Sequence, residues 1–433
     1  MAKGLFRGGV HPPERKEATR ERPIERPPLP ARLVVPMSQH LGAPCQPLVA
    51  EGDAVLRGQV IGDVDAMVSA PVHSPVSGYV TGIVKVMTPS GIPATAVQID
   101  VSRPQDLNDY VELPLTDSVS EMAHAAGLVG LGGAAFPSHV KLNPPAGMSI
   151  DTLIMNGCEC EPFLTCDERV MIERAPAVVE GARLIRDTVG ARRVVIGVED
   201  NKPEAIARLR EAADDEIEVV TLPTRYPQGA EKMLIQSVLG TEVGHGKLPA
   251  SAGALVSNVG TAAALADAVE RRKPLMERVV TVTGGVKRPG NYLVLIGTLI
   301  SDLIQAAGGL EEDVDRVIAG GPMTGFALGS LDVPVVKGTS GVVALRKGET
   351  GPSLLGDQAC VRCARCMQAC PISLQPWAIA SAADRRDWDT AEAFHALDCI
   401  ECGSCTYVCP TRRPLVQLIR RSKQTLMERG AKL

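Results

Sequence analysis

Eight of the twelve cysteines in this chain fall into two copies of one pattern toward its C-terminal end. The first is Cys360-x-x-Cys363-x-x-Cys366-x-x-x-Cys370-Pro371, and the second is Cys399-x-x-Cys402-x-x-Cys405-x-x-x-Cys409-Pro410. A cubane iron–sulfur cluster needs four thiolates converging on one point, and one tight loop can supply three of them. The fourth comes from the remote cysteine of the other run, so two such runs lace two 4Fe–4S clusters together. On that logic Cys360, Cys363, Cys366 and Cys409 hold one cluster, and Cys399, Cys402, Cys405 and Cys370 hold the other. Disulfides fit poorly, because a large chain without a secretory signal is expected in a reducing compartment. A zinc ribbon would want two C-x-x-C pairs, whereas each run carries a third cysteine and a Cys-Pro end. The pattern predicts a protein that moves electrons one at a time.

At 433 residues the chain is long enough for about three or four domains. Its few aromatics (3%) and its 42 Gly and 33 Pro suit turn-rich modules with cores of Ala, Val, Leu and Ile. A net charge of −5 gives no general attraction to nucleic acid. The longest apolar stretch, around Tyr292–Ile300, is too short to span a bilayer and runs into Asp302. The expectation is a chain soluble by itself, with any membrane role peripheral. Residues 12–32 mix Pro with both signs of charge, so residues 1–32 read as an extended arm rather than a packed element. After Pro410 the tail carries Arg412, Arg413, Arg420, Arg421, Lys423, Arg429 and Lys432, with Leu415, Leu418 and Ile419 on one helical face. That helix either docks an acidic or membrane-embedded partner or simply closes the cluster unit.

Residues 33–103 read as short strands and turns. In Val49–Val64 and Ser69–Val84, Gly52, Gly58, Gly62 and Gly78 punctuate alternating apolar runs, as hairpins require. The segment resembles the barrel-sandwich domain of lipoyl and biotinyl carriers. Val68 stands where a carrier lysine would be, so the domain is expected to be structural and unmodified. Residues 104–272 alternate strands and helices. Asp151–Met155, Arg193–Val198 and Ile217–Leu222 are β-rich, Pro176–Val189 has helical apolar spacing, and Asn201 is placed to cap a helix beginning at Pro203. This alternation predicts a parallel α/β layer. Residues 273–350 return to short strands, with a helix from Ser301 to Gly308-Gly309, and resemble a soluble-ligand-binding β-grasp (SLBB) module that serves as scaffold. Residues 351–433 form the cluster unit, with a helical stretch around Trp377–Leu397 between the cysteine runs.

A second site lies in the α/β segment. The stretch from Gly127 to Lys141 is dense in glycine, and glycines let backbone N–H groups approach and cradle a phosphate. It is not a Rossmann turn, because no clear strand precedes it. The strand that follows ends in Asn156-Gly157-Cys158-Glu159-Cys160-Glu161-Pro162, and polar groups at that end of a parallel strand sit where such sheets bind ligands.

From Gly130 to Lys141 the chain resembles the flavin loop of the NADH-oxidising flavoprotein subunit of respiratory complex I. The likeness continues through Asn156–Arg169, Tyr226-Pro227-Gln228-Gly229-Ala230-Glu231 and Asn258-Val259-Gly260-Thr261. A barrel-sandwich domain, this flavin domain, a β-grasp module and a two-cluster ferredoxin-like helical domain occur in the same order in the RnfC family, one component of the Rnf electron-transport complexes. Phe6-Arg7-Gly8-Gly9-Val10-His11-Pro12, Gln39-His40-Leu41-Gly42-Ala43-Pro44 and Gly320-Gly321-Pro322-Met323 are similar to that family too. The resemblance covers nearly the whole chain.

The resemblance implies FMN in the α/β domain, with NAD(H) stacked over it as substrate. Gly130, Gly132, Gly133 and Ala134 would line the flavin, and Lys141 would reach its phosphate. Asn156, Asn258 and Thr261 would hold its polar edges, with Gly229 and Glu231 on the flanking turn. Phe136 would stack on the nicotinamide nucleotide, and the acidic positions Glu159 and Glu161 would join the cofactor contacts, Glu161 at the nucleotide hydroxyls. Leu131, Ala135 and Cys158 depart from the complex I pattern, which has Arg, Gly and Asp there. Cys158, Cys160 and Cys166 lack a local fourth ligand and read as buried thiols beside the flavin, and Cys45 reads as core. The seven histidines are scattered, with none in a metal constellation.

The function so implied is a peripheral subunit on the cytoplasmic side of the bacterial inner membrane. It would pass electrons between ferredoxin- or flavodoxin-derived carriers and NAD+/NADH, while other Rnf subunits, membrane-embedded and iron–sulfur, translocate ions. A soluble NADH-dependent corrin (cobalamin) reductase of microcompartments shares these domains and is the first alternative. A wiring subunit without its own nucleotide site is the second.

Overall fold

The computed structural model describes residues 6–145, 147–349 and 359–430. Along Gly78–Met87 buried and exposed side chains alternate, the pattern of a strand with one face on a core. That strand pairs antiparallel with Pro93–Val101, which pairs in turn with Arg32–Pro36, while Ala54–Val55 flanks the other edge. A second sheet of Gln46–Pro47, Val60–Asp63 and Val72–His73 completes the sandwich around Leu33, Val35, Ile61, Val80, Val97 and Ile99. Cys45 is buried in this core. Val68 sits on the connecting hairpin, its carbonyl accepting the Ala43 N–H at 3.0 Å.

The next layer is a parallel sheet in the spatial order Ile217–Leu222, Arg193–Glu199, Thr152–Gly157, Ala254–Asn258. Its inner strands are nearly continuous apolar runs, as expected for strands covered on both faces. The chain steps outward from Thr152–Gly157 and then returns to its other side, so the order reverses between Thr152–Gly157 and Ala254–Asn258. Ligand crevices open at such a reversal. Register places Asn156 directly beside Asn258 there.

Helices Ala175–Val189 and Val259–Arg271 pack on this sheet at very close range, because Gly181 has no Cβ: one built there would lie 2.0 Å from the Ala262 carbonyl oxygen. The helix expected at Pro203 runs Pro203–Ala212, but Asn201 does not cap it. Lys202 occupies the cap position, and the Asn201 side-chain carbonyl accepts from the Lys202 ammonium at 2.9 Å.

The β-grasp module is a mixed sheet in the order Ile24–Glu25, Gly290–Leu295, Glu277–Gly284, Gly341–Arg346, Val314–Ala319, Phe326–Ala327. Its helix is Ile300–Ala306. The first strand comes from the N-terminal arm, which corrects the expectation of an unpacked segment. Lys16 and Thr19 are buried. The Lys16 ammonium donates to the Glu159 carbonyl at 2.8 Å, and Asn291 donates to the Thr19 carbonyl at 2.9 Å. The arm's mixed charge is used in ion pairs with the domains it crosses, such as Arg26 with Glu277 at 2.8 Å.

In the cluster unit the predicted helical stretch divides into Pro376–Asp384, Trp388–Ala393 and a short 3-10 turn, Ala396–Asp398. The tail helix Leu415–Glu428 buries Leu415, Ile419 and Leu426 against them. Its Arg420 and Lys423 turn inward to Glu401, and Lys423 also donates to the Cys399 carbonyl at 2.8 Å, so the helix closes this unit. Among the described residues no helix is long and apolar enough to cross a membrane.

The close helix crossing at Gly181 yields a direct test. Gly181→Ala is expected to force the two helices apart and cost about 1–3 kcal/mol, read as a lowered denaturation midpoint.

Candidate cofactor sites

The glycine loop is gripped by three modules. From its own domain, the Thr261 hydroxyl accepts the Leu131 N–H at 2.9 Å. From the β-grasp module, Arg278 donates to the Leu131 carbonyl at 3.3 Å and to the Lys337 carbonyl at 2.6 Å. The buried Lys337 ammonium donates at 2.7 Å to the carbonyls of both Gly127 and Pro71, the latter in the barrel-sandwich domain. That domain also gives the Leu41 N–H to the Ala135 carbonyl at 3.2 Å, and its Met67 carbonyl lies 3.2 Å from His139 Nε2. The hairpin that carries Val68 is thus docked on the loop.

Within the loop the Gly130 N–H donates to the Phe136 carbonyl at 2.8 Å, which closes a tight turn with Gly132, Gly133 and Ala134 exposed at its tip. Among the described residues the amides of those three donate to no protein acceptor. A Cβ built on Gly133 would meet nothing within 4 Å, and one on Gly132 would sit 3.4 Å from Asn258. The tip therefore presents free N–H groups to an open space bordered by Asn258. A flavin nucleotide with its phosphate fits that donor set.

The crevice walls are the two asparagines. Asn156 donates to the Gly229 carbonyl at 2.8 Å and accepts the Cys158 N–H at 3.1 Å. Asn258 caps helix Val259–Arg271 by accepting from Gly260 and Thr261, and it donates to Asp167 at 2.7 Å. Lys141 pairs with Glu231 at 2.7 Å across the mouth. An exposed pair of this kind is worth at most about 1 kcal/mol, so a phosphate can recruit Lys141 at little cost. Phe136 is half-buried behind the tip.

The acidic turn is placed differently from the expectation. Glu161 does not face the crevice: its oxygens accept from Met323 N at 3.1 Å, Thr324 N at 2.9 Å and the Thr324 hydroxyl. It anchors the Gly320–Met323 turn of the β-grasp module, with three of its acceptor positions taken there. Glu159 likewise turns inward and caps helix Cys166–Glu173 through Asp167 N at 2.7 Å and Glu168 N at 3.1 Å. The residue that does border the crevice is Asp167, which motif matching passed over. Burial, with Glu159 beside it, raises its carboxyl to about 7. Cys158, Cys160 and Cys166 are all pushed up by burial and stay protonated. A cavity of about 250 Å³ lies to one side and shares Leu131, Asp167, Gly260 and Arg278 with these residues.

In the cluster unit the two cysteine runs repeat one backbone conformation. Arg362 and Glu401, Ala364 and Gly403, and Ser373 and Arg412 occupy matching positions, and all have positive φ. That conformation turns amides toward sulfur: Arg362 N to Cys360 Sγ at 3.4 Å, Glu401 N to Cys399 Sγ at 3.4 Å, Leu374 N to Cys370 Sγ at 3.3 Å. The runs are interlaced. Burial, with Cys402 and Cys370 among the neighbours, raises the Cys399 thiol to about 12, and Cys405 is raised beside the same residues. Cys366 has Cys360 and Cys409 as its neighbours instead. Cys360 and Cys363 are exposed, whereas Cys402 and Cys405 are buried. Sulfur donors alone, with amides aimed at them, suit iron–sulfur clusters, whose positive iron offsets the cost of buried thiolates.

A glycine crevice at a sheet reversal, joined to two interlaced cysteine nests, defines a flavin- and iron–sulfur-binding electron-transfer protein. Comparison with known proteins agrees along the chain. Residues 5–103 match the RnfC barrel sandwich hybrid domain and residues 123–267 the Nuo51 FMN-binding domain. Residues 279–327 match the SLBB domain and residues 354–410 the 4Fe-4S dicluster domain. The RnfC-type component of the proton-translocating ferredoxin:NAD(+) oxidoreductase complex of Clostridium ljungdahlii is 44% identical, over 96% of this chain and 92% of that protein. Its counterpart in the Na(+)-translocating complex of Acetobacterium woodii is 42% identical, over 99% of this chain and 98% of that protein. An NAD+-reducing NiFe hydrogenase chain shares the fold with a TM-score of 0.52 at 18% identity, over 71% of this chain and 62% of that one. The chain belongs to the RnfC family, a component of the ion-translocating ferredoxin:NAD(+) oxidoreductase complexes known as Rnf complexes.

Asp167 gives a pH test. In an unfolded chain an aspartate loses its proton near pH ~4. Held near 7, the folded chain keeps a proton that the unfolded chain has released. Stability therefore falls as pH rises from about 4 to about 7. Asp167→Asn is expected to flatten that slope in denaturant midpoints, and an unchanged slope would assign it to other groups.

Proposed function

We propose that this chain passes electrons between NAD(H) and a low-potential, ferredoxin-derived carrier, as the NAD-reactive subunit of a membrane-bound ion-translocating complex. It acts from the cytoplasmic face of the membrane, with other subunits carrying the ions. The observation that carries the reading is one turn, Tyr226-Pro227-Gln228-Gly229. At one end the Tyr226 hydroxyl donates to the Cys402 carbonyl at 2.6 Å; at the other the Gly229 carbonyl accepts from Asn156. A flavin wall and a cluster ligand are thereby held on a single short segment.

Bound FMN supplies the exchange between the two electrons of a hydride and the single electrons that clusters carry. The chain's own residues position and shield that exchange. Gly130, Gly132, Gly133 and Ala134 present backbone donors, Lys141 offers its charge to the phosphate, and Asn156, Asn258 and Thr261 fix the polar edges. Phe136 backs the loop tip beside the nucleotide. Cys360, Cys363, Cys366 and Cys409 hold the outer cluster, and Cys370, Cys399, Cys402 and Cys405 the inner one. The Val10, Tyr226 and Cys402 side chains share an apolar contact that keeps water from the segment between them. No acid–base pair is required for hydride transfer.

Anaerobic purification of the whole chain tests the reading. About one FMN and about eight irons per chain are expected, with bleaching of the flavin band on addition of NADH. Iron without flavin would support a wiring subunit, and NADH-driven reduction of a corrin would support the reductase alternative. Cys370→Ser is expected to remove about four irons and the signal of the buried cluster in electron paramagnetic resonance, sparing the outer one. Tyr226→Phe is expected to leave FMN and iron contents unchanged while slowing NADH-driven cluster reduction by up to about tenfold.

A further inference from the structure

His245, His395 and Asp398 meet at the seam between the flavin domain and the cluster unit, although 153 positions separate His245 from Asp398. Scattered along the sequence, these residues are brought together by the fold. His245 Nδ1 contacts Asp398 Oδ1, and His395 Nδ1 lies 3.9 Å from Asp398 Oδ2. The two rings stand edge to face with centroids 5.2 Å apart. One ligand atom from each of the three residues lies within 4.8 Å of the others.

We propose that this trio binds a divalent transition-metal ion of the zinc class, which latches the flavin domain to the inner-cluster segment. Two imidazole nitrogens and one carboxylate oxygen are a borderline-soft set that suits zinc, cobalt or nickel. Calcium and magnesium want oxygen donors throughout, so the set disfavours them. Donors of a tetrahedral zinc sit about 2.0–2.1 Å from the ion and so roughly 3.3 Å from one another. Closing from 4.8 Å to that spacing needs only small rotations, and the rings are free to make them, being 67% and 62% exposed. Water completes the coordination on the open side.

The placement gives the ion a consequence. His395 precedes the Ala396–Asp398 turn, and Asp398 precedes Cys399 of the inner set. His245 lies in the 240–248 loop, which follows helix Glu231–Leu239. That helix begins at Glu231, the residue paired with Lys141 at the mouth of the crevice. An ion shared by His245, His395 and Asp398 therefore ties the Cys399 segment to the helix that borders the flavin crevice.

The test uses the full-length, cluster-loaded chain, stripped of loosely held metal and dialysed anaerobically against zinc. One zinc per chain in addition to undiminished iron is the expected result. His245→Ala, His395→Ala and Asp398→Asn should each weaken uptake by more than about tenfold, the loss that even outer-shell substitutions cause. Backbone hydrogen exchange in the 240–248 loop should slow on adding zinc to the unmodified chain and not to the variants. No uptake, uptake that survives all three substitutions, or uptake matched by iron loss to the cluster cysteines would overturn the site. Zinc that binds without slowing exchange in that loop would overturn the latch.

Discussion

A single buried ammonium, that of Lys337, closes the joint on which the flavin crevice depends. It donates to one carbonyl in the barrel-sandwich domain and one at the start of the glycine loop, while its own backbone carbonyl accepts from Arg278. Burial lowers it to about 8, while its ammonium is hydrogen-bonded to two backbone carbonyls. The glycine-rich tip of this loop has few side chains with which to fix its own shape, and glycine loses more conformational freedom on ordering than any other residue. The rigidity comes from outside, through hydrogen bonds from three modules to its backbone. This explains why a domain shaped like a carrier, with Val68 at the carrier position, is joined to a redox chain: its hairpin is a brace for the loop.

The same economy recurs between the flavin domain and the cluster unit. Gly8, at a positive φ, packs so closely on the Cys370 carbonyl that a Cβ would lie 2.6 Å from its oxygen. Gly9 donates to the Ala369 carbonyl at 2.9 Å, and Val10 exchanges backbone hydrogen bonds with Tyr226. The N-terminal segment is thus a third layer between the flavin turn and the inner cysteines. Buried Lys16, Lys202, Glu159 and Glu199 lie beneath it, each charge answered by an opposite one. Breaking one member of such a set would strand its partner in the interior, at a cost well beyond that of a surface pair.

Much of this was legible before the fold was known. The cysteine spacing named the chemistry, because iron–sulfur ligation is met by three thiols in one tight turn and a fourth from the Cys-Pro end of the other run. The parallel sheet could be read from apolar runs alternating with helical periods. The glycine loop could be found because phosphate binding needs backbone, and only glycine exposes it. The arm could not be read: its charges are paired with residues hundreds of positions away, and composition cannot tell a solvated charge from a paired one. The direction in which Glu159 and Glu161 turn could not be read for a related reason. A motif records that a carboxylate follows a strand, not whether its oxygens turn to the crevice or back to cap a helix and a neighbouring turn.

Sequence alone therefore determined which cofactors the chain is built for and which segments carry them, since thiol spacing and glycine density are properties of consecutive residues. Tertiary structure alone decided how the two sites are coupled: Tyr226 against Cys402, Asp167 beside Asn258, Lys337 between two domains, and His245 across from Asp398. Those contacts join residues distant along the chain. Which distant residues meet is set by the packing of whole layers, a sum over many weak apolar contacts that no short stretch of sequence contains.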